Sequence, residues 1–415
     1  MLWRRTQNAV TWCGAAWVAT VLGCASSSEP ETAAFEPMPC PAPAQSAEPN
    51  LHVSGQRLYL SWLVHGDNAH SFQYSMLENG EWSAPRTIAE GDSFFANWAD
   101  VPSLVQLGDG SLLAHWLWKS GGDTYAYDVM LSRSTNGIDW EPGVRPHRDG
   151  TQTEHGFASL IPTSGSKALA VWLDGRNYAE KEHDEAEMQL MSTSLVAGTV
   201  APERPLDLRV CDCCPTSSVR TASGTLVAYR DRSPQEIRDI SLVRYEDGAW
   251  SEPYPLSEDG WEIAGCPVNG PALAADGSRV VAAWFTIAHD QPSVRVAFSN
   301  NGGRTFAPFV EADEGEPLGR VDIVLLPSGH ALLVWLESPA EGASTLRARR
   351  VHPDGGMDAS FVVTETSADR ASGFPRLARV GDDVYFAWTQ IDAETDGHRV
   401  HMSRMSLPKS WRAVP

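Results

Sequence analysis

Seven short apolar runs recur along the chain, each ending in an aromatic residue: LYLSW, LLAHW, LAVW, LVAY, VVAAW, LLVW and VYFAW. The closing aromatics are Trp62, Trp116, Trp172, Tyr229, Trp284, Trp335 and Trp388, at intervals of about 51 to 57 residues. Apolar runs this short, bounded by Gly, Asp and Asn turns, predict strands rather than helices. Another strand pattern and a turn precede most of them, as in PSLVQLGDGSLLAHW and PALAADGSRVVAAW. A variable loop, a third strand such as SVRVAFS and a turn into a fourth strand follow. A small unit of this kind cannot bury its apolar faces alone, and repetition lets each unit cover the next. The pattern predicts an all-β chain, a β-propeller of seven four-stranded blades, with six blades as the alternative if one module is irregular. The last module, residues 372–407, carries only three strand patterns, so a strand from the N-terminal side is expected to complete it and close the ring.

The first residues break the period. Arg4 and Arg5 precede a mostly apolar stretch, residues 9–22, too short to span a bilayer comfortably, which reads as an export signal. It ends in Val21-Leu22-Gly23-Cys24, which resembles the lipobox of bacterial lipoproteins. That resemblance implies a signal peptide over residues 1–23, with Cys24 lipidated and made the mature N-terminus. Residues 24–50 are rich in Pro, Ser, Ala and Glu and read as a tether, with Cys40 an odd cysteine within it. Residues 51–415 are then a single propeller domain. The expected setting is the bacterial cell envelope, at the outer membrane or cell surface, with the lipid anchor as the sole membrane contact. The net charge of −21 argues against nucleic acid as a partner, and a monomer is expected.

Two turns carry a family resemblance. SNNGGRTF, residues 299–306, follows S-x-D-x-G-x-T-F/W with Asn301 in place of Asp, and STNGIDW, residues 134–140, is a shortened version. In such turns the Asx side chain closes the hairpin and Gly supplies positive φ. The chain resembles the sialidase-like, Asp-box (BNR) propellers. Sialidases hold a sugar carboxylate with three arginines, attack with a Tyr activated by Glu and protonate with an Asp. No R-I-P motif precedes the first blade here, so no sialidase catalytic role is carried over.

Antiparallel blades place the loop entering the first strand and the loop between strands two and three on one face. The chemistry-bearing residues fall in those loops. Candidate catalytic residues are Asp100, Glu154, Arg230, Asp231, Glu236, Arg238, Arg320, Asp322 and Arg376. Asp100, Glu154 and Asp322 offer acid–base pairs for a glycosidase. Arg230, Arg320 and Arg376 offer bidentate contacts for a carboxylate. Cys211, Cys213 and Cys214 in CDCCPTS, with Cys266 about one repeat later, form one or two disulfides or a site for a soft or borderline ion such as Cu(I) or Zn(II). His155, entering the neighbouring blade, is the candidate nitrogen ligand of such a site, although by itself it reads first as a structural or substrate-contacting residue. Three functions are open: binding of a metal or small ligand at the channel mouth, with or without catalysis; hydrolysis of an extracellular glycan, sialosides included; or a non-catalytic platform with structural disulfides.

Overall fold

A computed structural model describes residues 34–179, 186–338, 342–392 and 397–412. The export signal, the lipobox and Cys24 lie outside the described residues. Within them the chain forms seven antiparallel blades. The first strands, such as Ser103–Gln106 in blade two and Ala272–Asp276 in blade five, surround a central channel of about 460 Å³. Blade two has three strands, its fourth reduced to a bridge between Leu131 and Val144. No helix among the described residues is long and apolar enough to cross a membrane.

The second strands form the core because they are covered on both faces, which explains their unbroken apolar runs. Trp62, Trp172, Tyr229, Trp284 and Trp335 are fully buried, and Trp116 and Trp388 nearly so. A buried indole N–H needs an acceptor. Three blades supply it two residues later: Asp174 accepts from Trp172 at 2.8 Å, Gln390 from Trp388 at 3.1 Å, and Glu337 from Trp335. Turns 134–140 and 299–306 close as expected, with Asn136 accepting from the Asp139 N–H and Asn301 from the Thr305 N–H.

Ring closure corrects the tether boundary. Strand Ala34–Met38 pairs antiparallel with His398–Ser406 as the outer strand of blade seven, and Ser46–Ser54 opens blade one. Residues 34–50 therefore belong to the fold. Few apolar side chains are present there, but Phe35 meets Phe386 edge-on at 5.1 Å, and Ala42 is completely buried.

Neighbouring blades are latched at the channel by side chains that accept from the next blade's backbone. Asp100 accepts from Phe157 N at 2.7 Å, Ser217 from Leu273 N at 3.0 Å, Asn269 from Arg320 N at 2.7 Å and Asp322 from Leu377 N at 2.7 Å. Gly156 is obligatory beside the first latch, since a Cβ there would meet Asp100 Oδ2 at 2.0 Å.

Candidate active site at the channel mouth

The predicted face carries a cavity of about 860 Å³. Loops entering blades two to five and blade seven, and loops after the second strands of blades two to four, build its wall. Its acidic groups are Asp123, Glu154, Asp212 and Glu236; its basic groups are Arg232, Arg238 and Arg370. Trp98, Tyr125, Phe157 and Tyr178 supply aromatic surface.

Glu154 is the group best suited to proton transfer. It precedes the inner strand His155–Pro162 and accepts from the buried Tyr127 hydroxyl at 2.5 Å. Burial and the negative charge of Asp212 raise its carboxyl to about 7, against the opposing pull of the Tyr127 hydrogen bond. Asp212 faces cationic and donor groups: Arg232 lies 3.6 Å away, and the Tyr178 hydroxyl hydrogen-bonds to it. Glu236 is gripped by Arg232 and by Arg238, each at 2.9 Å.

The cysteines divide into two pairs. Cys213 and Cys266 form a disulfide on the cavity wall, with Cα atoms 6.0 Å apart. Cys211 and Cys214 are buried free thiols behind it, their sulfurs 3.5 Å apart. Burial alone would raise the Cys211 thiol, but the Cys214 hydrogen bond and the charges of Arg238 and Arg230 bring it down to about 6. Cys214 is displaced in the opposite direction, by burial and by the neighbouring Cys211 charge.

His155 does not join the cysteines. Its ring stacks on His147, centroids 3.8 Å apart, among Asp128, Asp149 and Asp174. Its protonation is opposed by burial but favoured more strongly by these carboxylates, which raises its pKa.

Arg230, Arg320 and Arg376 do not assemble into a carboxylate-binding trio. Arg230 is buried and donates to the carbonyls of Asn269, Arg238 and Phe285, with Trp261 under its guanidinium. Arg320 donates to the carbonyls of Ala368, Asp369 and Gly373 and to Ser372. Arg376 lies in the channel wall with Asp322 and Asp100, away from the mouth cavity's lining. Burial pushes Asp100 up to about 8, and Asp231 is occupied by Ser241 at 2.8 Å. Of the nine catalytic candidates, Glu154, Glu236 and Arg238 meet in the mouth cavity. Among its other residues, Asp212 was legible from CDCCPTS, and Arg232 from its place in the charged loop YRDRSPQEIRD. Tyr178 and Arg370 carry no comparable signal.

No protein-family model matches the chain, and no curated protein matches it. Solved structures do. A protein of unknown function from Dyadobacter fermentans is 13% identical over 88% of this chain and 95% of its own, with a TM-score of 0.50. The polysaccharide lyase Uly1 is 7% identical over 87% and 90%, with a TM-score of 0.54. The GH93 α-L-arabinofuranosidase of Fusarium graminearum, in complex with arabinobiose, is 13% identical over 89% and 95%, at 0.47. The first two likenesses bear on the fold alone.

Proposed function

We propose that the protein cleaves glycosidic bonds of an extracellular glycan in the mouth cavity. The observation that carries this reading is Glu154, held near neutrality in a cavity of sugar-binding size and electrostatically coupled to Asp212. Unequal environments for two carboxylates are what acid and base roles require. Protonated Glu154 gives its proton to the departing glycosidic oxygen. Asp212, paired with Arg232, stabilises the positive charge that develops on the sugar and either takes a proton from the attacking water or bonds to the anomeric carbon. Tyr125, exposed on the cavity wall, offers an aromatic face for a sugar ring.

The substrate is neutral or weakly charged at the cleaved residue. Arg232 and Arg238 are already engaged by carboxylates and Arg230 and Arg320 by carbonyls, which leaves Arg370 as the cavity's remaining arginine, short of the three that grip a sialoside. We place this activity on an exported, lipid-anchored protein of the cell envelope, on the strength of residues 1–24. The test is release of reducing ends from a panel of neutral polysaccharides. Turnover by the wild type, abolished in Glu154→Gln with the fold intact, supports the reading; turnover that survives this change overturns it.

A second reading is supported by the thiols. A soft ion such as Cu(I) bound by Cys211 and Cys214 suits two sulfurs 3.5 Å apart, one with a lowered pKa. Copper retained by the wild type and lost in Cys214→Ala would favour it, and a copper-free protein after Cu(I) loading would remove it.

A further inference from the structure

The junction of blades two and three holds two buried imidazoles, each with one nitrogen, Nε2, that faces carboxylates without making a hydrogen bond. His147 and His155 are 5% and 0% exposed, and the Nε2 of each has no hydrogen-bond partner. The tautomers are set by the other ring nitrogens. His155 Nδ1 lies 3.1 Å from the Thr153 carbonyl, an obligate acceptor, so Nδ1 carries the proton. Its Nε2 lone pair then points between Asp149 Oδ2 at 3.3 Å and Asp174 Oδ1 at 3.7 Å. Three lone-pair atoms converging in a buried site repel one another unless a proton or a metal cation sits among them.

We infer that Asp149, His155 and Asp174 bind a divalent first-row transition ion. One ligand atom from each lies within 4.8 Å of the others, a spread small enough for a shared ion after minor side-chain adjustment. Each ligand also has the outer support that metal ligands ordinarily have. The Thr153 carbonyl orients His155; His147 Nδ1, at 3.1 Å, and the Thr151 N–H, at 2.9 Å, hold Asp149. Arg176 and the Trp172 indole hold Asp174. Charge counting agrees. The cluster contains Asp128, Asp149, Asp174 and the nearby Glu203 against Arg145 and Arg176, four carboxylates to two guanidiniums. With both imidazoles neutral, a divalent cation neutralises the difference. The imidazole selects a transition ion over Ca²⁺ or Mg²⁺, and two carboxylate oxygens disfavour a soft ion such as Cu(I).

The site ties together three chain segments: the loop before blade three, the start of its first strand and the end of its second strand. It is adjacent in sequence to Glu154, whose carbonyl accepts from Gly175 N at 2.7 Å. The inference does not rest on the glycan reading, since it concerns a different set of side chains.

Metal content decides it. Protein purified without chelator, loaded separately with Zn(II), Mn(II) and Co(II) and then dialysed, is expected to keep one equivalent of at least one ion. The Co(II) form should show visible d–d absorption, and the bound ion should raise the Tm of chelator-stripped protein. Asp149→Asn, nearly isosteric, and His155→Gln should each lower retained metal at least tenfold while circular dichroism stays that of the wild type. If His155→Gln does not fold, Asp149→Asn alone carries the test. Failure of the wild type to retain any of the three ions overturns the inference and leaves protons on both rings as the neutralising charge. Retention unchanged in Asp149→Asn, or lost instead in Cys214→Ala, overturns it as well.

Discussion

The Arg238 guanidinium donates to the Cys211 sulfur at 3.2 Å and to Glu236 at 2.9 Å, joining a buried thiol to the cavity wall. The folded thiol titrates near 6 against an ordinary value of 9. Between these values the unfolded chain holds a proton that the folded chain has released, so this group's contribution to stability rises with pH. It is complete above pH 9 and lost as the pH falls through 6. Urea unfolding of the wild type and Cys211→Ser between pH 6 and 9 should show a difference that grows with pH. Arg238→Met should flatten it, and a difference independent of pH would mean the thiol stays protonated.

Cys213 and Cys266 are separated by 53 positions, so opening their bridge restores considerable freedom to the unfolded chain. The chain-entropy model gives about 4 kcal/mol. Paired Cys213→Ser and Cys266→Ser changes should lower the unfolding free energy by about that amount. They should also weaken any cavity ligand, because both sulfurs form part of its wall.

Glu154 predicts the pH dependence of turnover. Its acid form is the active one in the proposed reaction, so kcat should fall as the pH rises through about 7. Glu154→Gln should lose activity at least a hundredfold. Tyr127→Phe removes a hydrogen bond that stabilises the carboxylate, and should move the alkaline limb to higher pH. A profile unmoved by Tyr127→Phe would assign that limb to another group.

The latches between blades predict stability differences of a characteristic kind. Asp322→Ala leaves the Leu377 N–H without its acceptor and should cost about 1–3 kcal/mol. Asp322→Asn retains an acceptor oxygen and should cost much less. Equal losses in denaturant unfolding would mean that the carboxylate's charge, opposite Arg376, matters more than the hydrogen bond.

These residues also show what a sequence can reveal. Trp172 and its six counterparts announced the blades because a strand covered on both faces must be apolar throughout, and the pattern survives without knowledge of partners. Residues 34–50 were misassigned as tether because an outer strand is covered on one side only, and Pro37 and Glu36 are tolerated there. Arg230 and Arg320 looked like ligand-binding groups because a string of letters does not distinguish a guanidinium facing solvent from one enclosed by carbonyls. Glu154 was legible because the strand order fixed its face. His147 and Asp149 were not, since the loop holding them has no periodicity and its partners lie in two blades.

The pairing of Ala34–Met38 with His398–Ser406 sets an order on biosynthesis. Ala34–Met38 has a partner that is synthesised only after all the intervening blades, so the ring cannot shut until that partner emerges. The contact is of very high sequence separation, and such contacts form late. Until it forms, Ala34–Met38 remains unpaired and open to any extended peptide nearby. Chaperone binding during synthesis should therefore concentrate on the interval before that last strand is released.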